Sequence, residues 1–373
     1  MTAYDIVVVG GGIFGLSVAK AAHDLGLKVA LLEKNTIASG ASAGLVGALM
    51  PHVPSQWNEK KQFQLEALIE LSVIVNALEE ATGLSVGYSR TGRLIPLYTE
   101  AKLEHALSRV GESLFRWRSD ETGFTFNVLK ETPFSDWLTP EAAPLGFIWD
   151  TLAARANPRL VSAGLHTFLK TRVDIMEHTE FLGFDEASGQ VSLGNGETMS
   201  TDRLVLSAGY EGFEEINKIG GKTIGIGVKG QSVLLEYTTE KPLPVIYDEG
   251  IYVVAHANGT VAIGSTSEQE WTTKEPVEAD IQAMLTKAIA FCPSLKDAPV
   301  IGSWAGIRPK CKKRDPLVGL LPGKNKTWVA TGGFKISYAI SHRIAACLMQ
   351  EMFPEMEKHV YLPDSFKPAF HFG

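Results

Sequence analysis

The pattern of apolar and polar positions is most regular near the amino terminus. Asp5–Val9 is a short, β-branched apolar run, which is typical of a strand buried on both faces. Apolar residues then recur at helical spacing from Leu16 to Leu25, and a second apolar run, Val29–Leu32, ends at Glu33. The pattern therefore predicts a strand, a helix and a second strand that form one βαβ unit.

Glycines join the first predicted strand to the helix in the order Gly-x-Gly-x-x-Gly. Gly10 allows a tight turn, Gly12 lets the backbone approach a pyrophosphate, and Gly15 packs helix against strand. The start of the helix, Gly12–Phe14, offers unpaired N–H groups to phosphates. Glu33 stands where a carboxylate would accept hydrogen bonds from ribose hydroxyls. This unit predicts a dinucleotide-binding site.

A second match to this glycine spacing, Gly225–Gly230, lacks the same context. No buried strand precedes it, and Gln231–Tyr237 alternates like a strand rather than a helix. We interpret it as a turn-rich connection. A single dinucleotide site disfavours a reductase that binds both NAD(P)H and a flavin.

The rest of the chain predicts helices and strands in alternation. Helices are expected over Gln62–Thr82, Glu100–Trp117 and Arg159–Lys170, and a further helix is expected to follow Ser337 and end at Met352. Buried strands are expected over Leu204–Gly209 and Trp328–Gly332. Antiparallel strands are expected over Ser232–Tyr237, Ile251–Ala255 and Thr260–Gly264, and Asp174–Thr179 is expected to pair with Val191–Leu193. The pattern predicts an interleaved, two-domain α/β plus β protein.

Composition excludes several classes of function. The net charge of −7 disfavours binding to nucleic acid or to an anionic membrane surface, and no apolar run approaches the ~18 residues of a membrane span. The first strand begins so close to Met1 that we expect no signal peptide. Cys292, Cys311 and Cys347 lack metal-ligand spacing, so we expect no metal site and a reducing, cytoplasmic location.

Five separated motifs carry a family resemblance over nearly the whole chain. They are Gly10–Gly15 with Glu33, Ser39–Gly47, Leu204–Gly209, Trp304–Pro309 with Asp315–Pro316, and Gly332–Ser337. Together they resemble the D-amino-acid-oxidase-like flavoproteins, most closely the glycine oxidases, with features of monomeric sarcosine oxidases. The resemblance implies a Rossmann-type FAD-binding domain (residues 1–86, 141–214 and 300–373) interleaved with an antiparallel-sheet, substrate-binding domain (residues 87–140 and 215–299).

The resemblance also implies an activity. FAD, held non-covalently, would accept a hydride at flavin N5 from a small amino acid or secondary amine, such as glycine, sarcosine, iminodiacetate or a D-amino acid. The resulting imine would hydrolyse, and O₂ would be reduced to hydrogen peroxide. The alternative is a dehydrogenase that passes electrons to a quinone or another carrier. The oligomeric state, a homo-oligomer included, is left open.

The resemblance assigns the residues that contact FAD. Backbone N–H groups around Gly333–Ile336 would face the flavin pyrimidine, and the backbone at Phe181 would contact adenine. The full set is Gly10, Gly12, Ile13, Phe14, Gly15, Glu33, Lys34, Ser42, Ala43, Gly44, Leu45, Gly47, Phe181, Ser207, Ala208, Gly209, Arg308, Gly332, Gly333, Phe334, Lys335, Ile336 and Ser337.

An arginine, two tyrosines and a histidine are candidates for the substrate site. Arg308 matches the arginine that fixes the substrate carboxylate in glycine oxidases. Arginine suits this role because its planar guanidinium can bind a carboxylate through two hydrogen bonds. Tyr252, and less strongly Tyr247, match pocket tyrosines. The structural alternatives are an interdomain salt bridge for Arg308 and half-buried strand aromatics for the tyrosines. His52 follows the flavin loop and could reach the pocket, although a lone histidine is usually structural.

Lys335 is a departure from glycine oxidases, which have arginine there. It matches the carboxylate-binding lysine of sarcosine oxidases, whose histidine is replaced here by Gly332. Lys335 would bind carboxylate or stabilise anionic reduced flavin; the alternative is a solvated lysine at a helix start. Because Arg308 and Lys335 place two cations near one pocket, we hypothesise a substrate with two carboxylates, as in iminodiacetate or D-aspartate.

Other interpretations are weaker. Cys311 resembles the flavin-linking cysteine of sarcosine oxidases but differs in spacing, and Lys310–Arg314 is typical of a solvated surface turn. Ser42 lies in a Gly-x-Ser-x-Gly match, yet this stretch follows a strand at a distance and suits a hydrolase poorly. A nicotinamide-dependent dehydrogenase leaves the small-residue loop after Trp328 unexplained. A non-catalytic nucleotide-binding module is the third alternative.

Overall fold

The computed structural model describes residues 2–373. Its strands are β1 (Thr2–Tyr4), β2 (Ile6–Val9), β3 (Val29–Leu32), β4 (Ala48–Leu49), β5 (Arg93–Pro96), β6 (Phe126–Leu129), β7 (Phe147–Asp150), β8 (Ala154–Arg155), β9 (Asp174–Met176), β10 (Phe181–Asp185), β11 (Gln190–Leu193), β12 (Thr198–Thr201), β13 (Leu204–Leu206), β14 (Gly225–Glu236), β15 (Val245–Asp248), β16 (Ile251–Ala255), β17 (Thr260–Gly264), β18 (Val300–Cys311), β19 (Leu317–Leu320) and β20 (Thr327–Thr331). Its α-helices are α1 (Ile13–Asp24), α2 (Glu59–Thr82), α3 (Glu100–Arg116), α4 (Ser119–Thr122), α5 (Pro158–Leu169), α6 (Phe213–Gly220), α7 (Glu278–Phe291), α8 (Ser337–Met352) and α9 (Pro368–Phe372). Among these residues, no helix combines the length and the apolar character needed to cross a bilayer.

A six-stranded sheet carries the predicted βαβ unit. Its strand order is β19-β20-β13-β2-β3-β9, and β2 pairs in parallel with β3 and β13. Ile6 and Val8 pack in one core with residues of α1 and α8, while Val7 packs on the opposite face with Phe213. A strand buried on both faces requires apolar residues at every position, which is the pattern of β2 and β3. The predicted strands and crossover helix are confirmed.

An eight-stranded sheet lies beside it, in the order β18-β14-β17-β16-β15-β5-β7-β6. Its strands pair antiparallel except for β5 with β15. One face packs on α7, where Val253 and Ile263 join Met284 in a separate core. On the opposite face, Ile148 packs into the core that surrounds α1 and α8. The fold is therefore the predicted α/β plus β architecture, with one sheet face turned toward the nucleotide-binding unit.

Two predicted local arrangements are wrong. Asp174–Met176 is an edge strand parallel to β3, whereas Gln190–Leu193 pairs with β10 and β12 in a separate four-stranded sheet. Gly225–Gly230 is the first half of β14, antiparallel to β18, rather than a turn-rich connection. A glycine-rich strand is read as a turn when its partner is distant in sequence, because local composition does not reveal long-range pairing.

Sheet membership bears on the predicted domain boundaries. β7 and β18 fall in segments assigned to the FAD-binding domain, yet both are strands of the eight-stranded sheet. The division into two domains stays a prediction. We propose that residues 147–150 and 300–311 belong structurally with the substrate-binding part.

Candidate functional site

A cavity of about 1390 Å³ is lined by residues at the end of β3 and at the start of α8, among others. It is lined by most of the residues predicted to contact FAD: Gly10, Gly12, Ile13, Phe14, Glu33, Lys34, Ser42, Phe181, Ser207, Ala208, Gly209, Arg308, Gly333, Phe334, Lys335 and Ser337. Other predicted contacts do not line it: Gly15, Ala43, Gly44, Leu45, Gly47, Gly332 and Ile336. Trp304 and Tyr210 line the cavity although the sequence did not single them out as contacts.

The glycine crossover leaves no room for side chains. Gly10 has a φ of 104°, and a Cβ there would lie 2.5 Å from the carbonyl oxygen of Ser207. A Cβ at Gly15 would lie 1.8 Å from the carbonyl oxygen of Gly10. Both positions therefore require glycine, and the backbone itself forms the cavity wall next to the first turn of α1.

The first turn of α1 offers donors to the cavity. Gly12 precedes the helix, contributes no side-chain cap, and no acidic residue occupies the first turn. The N–H of Ile13 donates to Oγ of Ser42 at 2.9 Å. Ser42 is thus fixed as a partner of the helix start, in a short 3-10 turn (Ala41–Ala43), which does not match a hydrolase nucleophile elbow.

Glu33 follows β3 and bonds back to the glycine turn after β2. Its carboxylate accepts the N–H of Gly11 at 2.8 Å and the N–H of Asn35 at 2.9 Å. Lys34 pairs with Glu211 across the cavity. A glycine wall, a helix start and a fixed carboxylate in one groove suit the pyrophosphate and ribose of a dinucleotide. The residues present therefore fit the adenosine half of FAD.

Arg308 lines the same cavity. It lies on β18 opposite Val228 of β14, where its Nη1 donates to Oγ of Ser265 at 2.9 Å and its Nη2 to the carbonyl of Thr266 at 2.5 Å. Its Nε is buried without a partner. Among residues 2–373 no carboxylate forms a salt bridge with Arg308, so the interdomain ion-pair interpretation receives no support. Burial lowers the pKa of Arg308 to about 10.

The segment that accepts hydrogen bonds from Arg308 is itself anchored. Thr266 Oγ1 donates to Glu268 at 2.6 Å, and the buried Gln231 amide donates to Glu268 at 2.8 Å. Gln231 also donates to Asp280 at 2.7 Å. This network fixes the backbone carbonyl of Thr266, and with it the angle of the guanidinium.

Three cations surround the ring of Phe334. Cζ of Arg308 lies 5.1 Å from the ring centroid, Nζ of Lys310 lies 5.3 Å away and Nζ of Lys335 lies 5.9 Å away. Burial, Arg308 and Lys310 together lower the pKa of Lys335 to about 8. The prediction of a solvated turn over Lys310–Arg314 is wrong at its start, because Lys310 and the buried Cys311 are still part of β18.

Cys311 does not line the cavity. It is fully buried, and a Cβ at Gly332 would lie 2.3 Å from its Sγ. Burial raises the pKa of the Cys311 thiol to about 12. A protonated thiol packed behind the Gly332 turn is poorly placed to link a flavin.

Tyr252 and Tyr247 face each other on β16 and β15. Their ring centroids are 4.7 Å apart. Burial raises the pKa of Tyr252 to about 12, so its hydroxyl is a neutral hydrogen-bond donor. Neither tyrosine lines the large cavity. They lie on the sheet face that is turned away from α7 and that also carries Arg308.

Arg93 is a buried cation that sequence reasoning missed. It lies on β5 and its Nε donates to Asp150 at 2.5 Å. The signal in the sequence was an arginine inside the otherwise apolar run Gly92–Leu97. His52 is near this arginine, and burial with Lys60 and Lys61 lowers the pKa of His52 to about 4. The structure does not bring His52 to the large cavity.

Comparison with known proteins identifies the family. The profile of the D-amino-acid-oxidase-type family, described as FAD-dependent oxidoreductase, matches residues 5–347. The chain belongs to this family. It is an FAD-dependent oxidoreductase, and the glycine crossover and fixed Glu33 described above fit that cofactor.

Several glycine oxidases are similar over the full length. The glycine oxidase of Pseudomonas aeruginosa is 27% identical over 376 residues, covering 96% of this chain and 98% of that protein. The crystal structure of glycine oxidase from Geobacillus kaustophilus superposes with a TM-score of 0.85 at 20% identity, covering 98% of each chain. Iminodiacetate oxidase from Chelativorans sp. superposes with a TM-score of 0.83 at 18% identity, covering 97% of this chain and 98% of that one. These two structures share the fold.

Proposed function

We propose that this protein oxidises the C–N bond of a small amine that carries a carboxylate, with FAD as cofactor and O₂ as electron acceptor. The observation that supports this proposal most strongly is Arg308, a half-buried arginine on the cavity wall whose Nε is buried and which forms no salt bridge with a carboxylate among residues 2–373. A buried charge without a counter-ion is unfavourable unless a ligand supplies one. The similarity to glycine oxidases indicates the amine.

The substrate carboxylate would bind at Arg308. Nη1 donates to Ser265, and Nη2 donates to the carbonyls of Thr266 and Lys229, so the Nε–H and the second N–H of Nη1 are left for a ligand. Tyr252 lies on the same sheet face, and its neutral hydroxyl would donate a second hydrogen bond to the substrate carboxylate. Two donors from different strands fix both the position and the angle of a carboxylate.

The cavity would hold FAD along its length. Gly10, Gly12 and the first turn of α1 would contact the pyrophosphate, and the Gly333–Phe334 turn would contact the flavin. When bound, FAD supplies a two-electron acceptor for the carbon next to the amine. Lys335 would place a positive charge beside the site where negative charge accumulates, which favours reduction.

A peroxide-coupled screen tests the proposal. Holoenzyme is mixed with glycine, sarcosine, iminodiacetate and D-amino acids in air, and peroxide is measured. We expect peroxide with at least one carboxylated amine and none with the matching amine that lacks the carboxylate, such as methylamine for glycine. Amine oxidation that proceeds only with an added dye, and not with O₂, would replace the oxidase proposal with the dehydrogenase alternative. Equal rates with methylamine and glycine would contradict a carboxylate anchor.

A further inference from the structure

We propose that Arg93 binds a second acidic group of the substrate, so that the preferred substrate class is a small amine with two carboxylates. This inference rests on the proposed function and deepens it. The sequence hypothesis assigned the second carboxylate to Lys335. We assign it instead to Arg93, on the other side of Tyr252 from Arg308.

The strand register places Arg93 beside the tyrosines. Arg93 pairs with Val245 on β15, two residues before Tyr247, and Tyr247 pairs with Tyr252. Because side chains alternate along a strand and paired residues share a face, Arg93, Tyr247 and Tyr252 project from the same face of the sheet.

The same register carries this face across to Arg308. Tyr252 pairs with Gly264, which pairs with Ser232, which pairs with Trp304 of β18. Arg308 follows Trp304 by an even number of residues on the same strand, so it shares the face. Two guanidinium groups thus flank Tyr252 on a single surface, and the apolar core around α7 lies on the other side.

Arg93 has a donor to spare. Its side chain is only 6% exposed, and its Nη2 is buried without a hydrogen-bond partner. Buried donors in folded proteins nearly always have a partner, so an unpaired guanidinium N–H points to a missing acceptor. A carboxylate is the acceptor that best matches this geometry and charge.

Asp150 positions Arg93 without using all of its donors. Asp150 is fully buried, accepts Nε of Arg93 with one oxygen, and accepts the N–H of Ala153 at 2.9 Å with the other. The N–H of Ala153 thus helps to fix the orientation of the carboxylate, which bonds Arg93 through Nε and leaves Nη2 without a hydrogen bond. His52 lies near Arg93 and is neutral at pH 7, because burial lowers its pKa to about 4. Neither neighbour accepts a hydrogen bond from Nη2.

Lys335 is less suited to the second carboxylate. Lys335, Arg308 and Lys310 all lie near the ring of Phe334. Lys335 also lines the large cavity that fits FAD. Its charge therefore lies on the cofactor side. Arg93 lies outside that cavity, beyond Tyr252 on the sheet face.

Two ethers that amine oxidation cannot consume test the proposal. Diglycolate has the shape of iminodiacetate, and methoxyacetate has the shape of sarcosine with one carboxylate. Calorimetric titration of the holoenzyme gives the Kd of each. We expect wild type to bind diglycolate at least tenfold more tightly than methoxyacetate, and Arg93→Gln combined with Asp150→Asn to lower that preference at least tenfold. The double variant is used because Arg93→Gln alone leaves a buried, unpaired Asp150. The measured preference of Arg93→Lys should lie between the two.

A matched control pair is available in Arg343, a buried arginine that pairs with Glu66 and Glu70 on α2. Arg343→Gln combined with Glu70→Gln should keep the wild-type preference. An unchanged preference in the Arg93 double variant, or a wild type that binds both ethers equally, would overturn the proposal. Failure of the underlying function gives a different result: methoxyacetate binding would then be insensitive to Arg308→Gln.

Discussion

The guanidinium of Arg308 lies directly on Gly230 of the neighbouring strand: a Cβ at Gly230 would be 2.2 Å from Nη2 of Arg308. The absence of a side chain at this position therefore sets the height of the guanidinium above the sheet. Gly230 belongs to the glycine-rich half of β14, where Gly225 lies equally close to Phe213 and Gly227 to Ile307, so close packing rather than phosphate binding explains these glycines.

Gly230→Ala should displace Arg308 while leaving the FAD cavity intact. Because small misplacements of a binding group cost up to about 100-fold, we expect kcat/KM to fall by about 10- to 100-fold, mainly through KM. Steady-state kinetics and flavin content measure the two effects. Gly302→Ala on β18, where a Cβ would meet nothing within 4 Å, is the matched control. Equal losses in both variants would show that strand packing, not Arg308, is responsible.

Lys335 should impose a pH dependence on the reaction. Its pKa is lowered to about 8, so its positive charge is present below that pH and is lost as the pH rises through it. We expect kcat/KM of the wild type to decrease as the pH rises above about 8, and we expect no such decrease in Lys335→Met. In Lys335→Arg the decline should move to higher pH, because arginine stays protonated. A decline that persists unchanged in Lys335→Met would assign the titration to another group.

His256 should weaken the fold in acid. It is buried, its Nε2–H donates to the carbonyl of Leu45 at 2.9 Å, its Nδ1 has no partner, and burial lowers its pKa from 6.5 to about 4. The unfolded chain therefore binds a proton at higher pH than the folded protein, and stability is lost as the pH falls from 6.5 toward 4. The contribution is roughly 3 kcal/mol. Urea unfolding at pH 7 and pH 4 should show a smaller difference in His256→Gln; an equal difference would contradict this assignment.

FAD should be released from the protein by acid. Cys311 is buried behind Gly332 and does not line the cavity, so no thioether to the flavin is expected. After acid precipitation the flavin absorbance should appear in the supernatant, and Cys311→Ala should purify with the same flavin content. Flavin that remains with the precipitate in wild type but not in Cys311→Ala would show a covalent link.

The sequence predicted the features that local physics determines. The crossover from β2 to α1 is specified within a few residues, since glycines, an apolar strand and a helical repeat must all be adjacent. Helix α2 was predicted to begin near Gln62 and begins at Glu59, after the capping side chain of Asn58. Such signals need no knowledge of the distant chain.

What the sequence did not reveal depends on long-range pairing. The true partner of Asp174–Met176 is β3, more than a hundred residues away, and no local pattern distinguishes it from Val191–Leu193. Arg93 was missed for the same reason: its role depends on β15 and on Asp150 across the sheet. Arg308, Tyr252 and Lys335 were found through family motifs, and their roles toward substrate and FAD remain proposals.

The most direct test of the account is anaerobic titration of Arg308 variants. Wild-type holoenzyme and Arg308→Ala are each mixed with glycine, sarcosine and iminodiacetate, and the bleaching of the flavin absorbance is followed. We predict that wild type is bleached by at least one of these amines and that Arg308→Ala, with flavin still bound, needs about 30- to 1000-fold more of it, as expected for a lost charged hydrogen-bond pair of about 2–4 kcal/mol. Bleaching of Arg308→Ala at wild-type concentrations, or a wild type that none of these amines reduces, would contradict it.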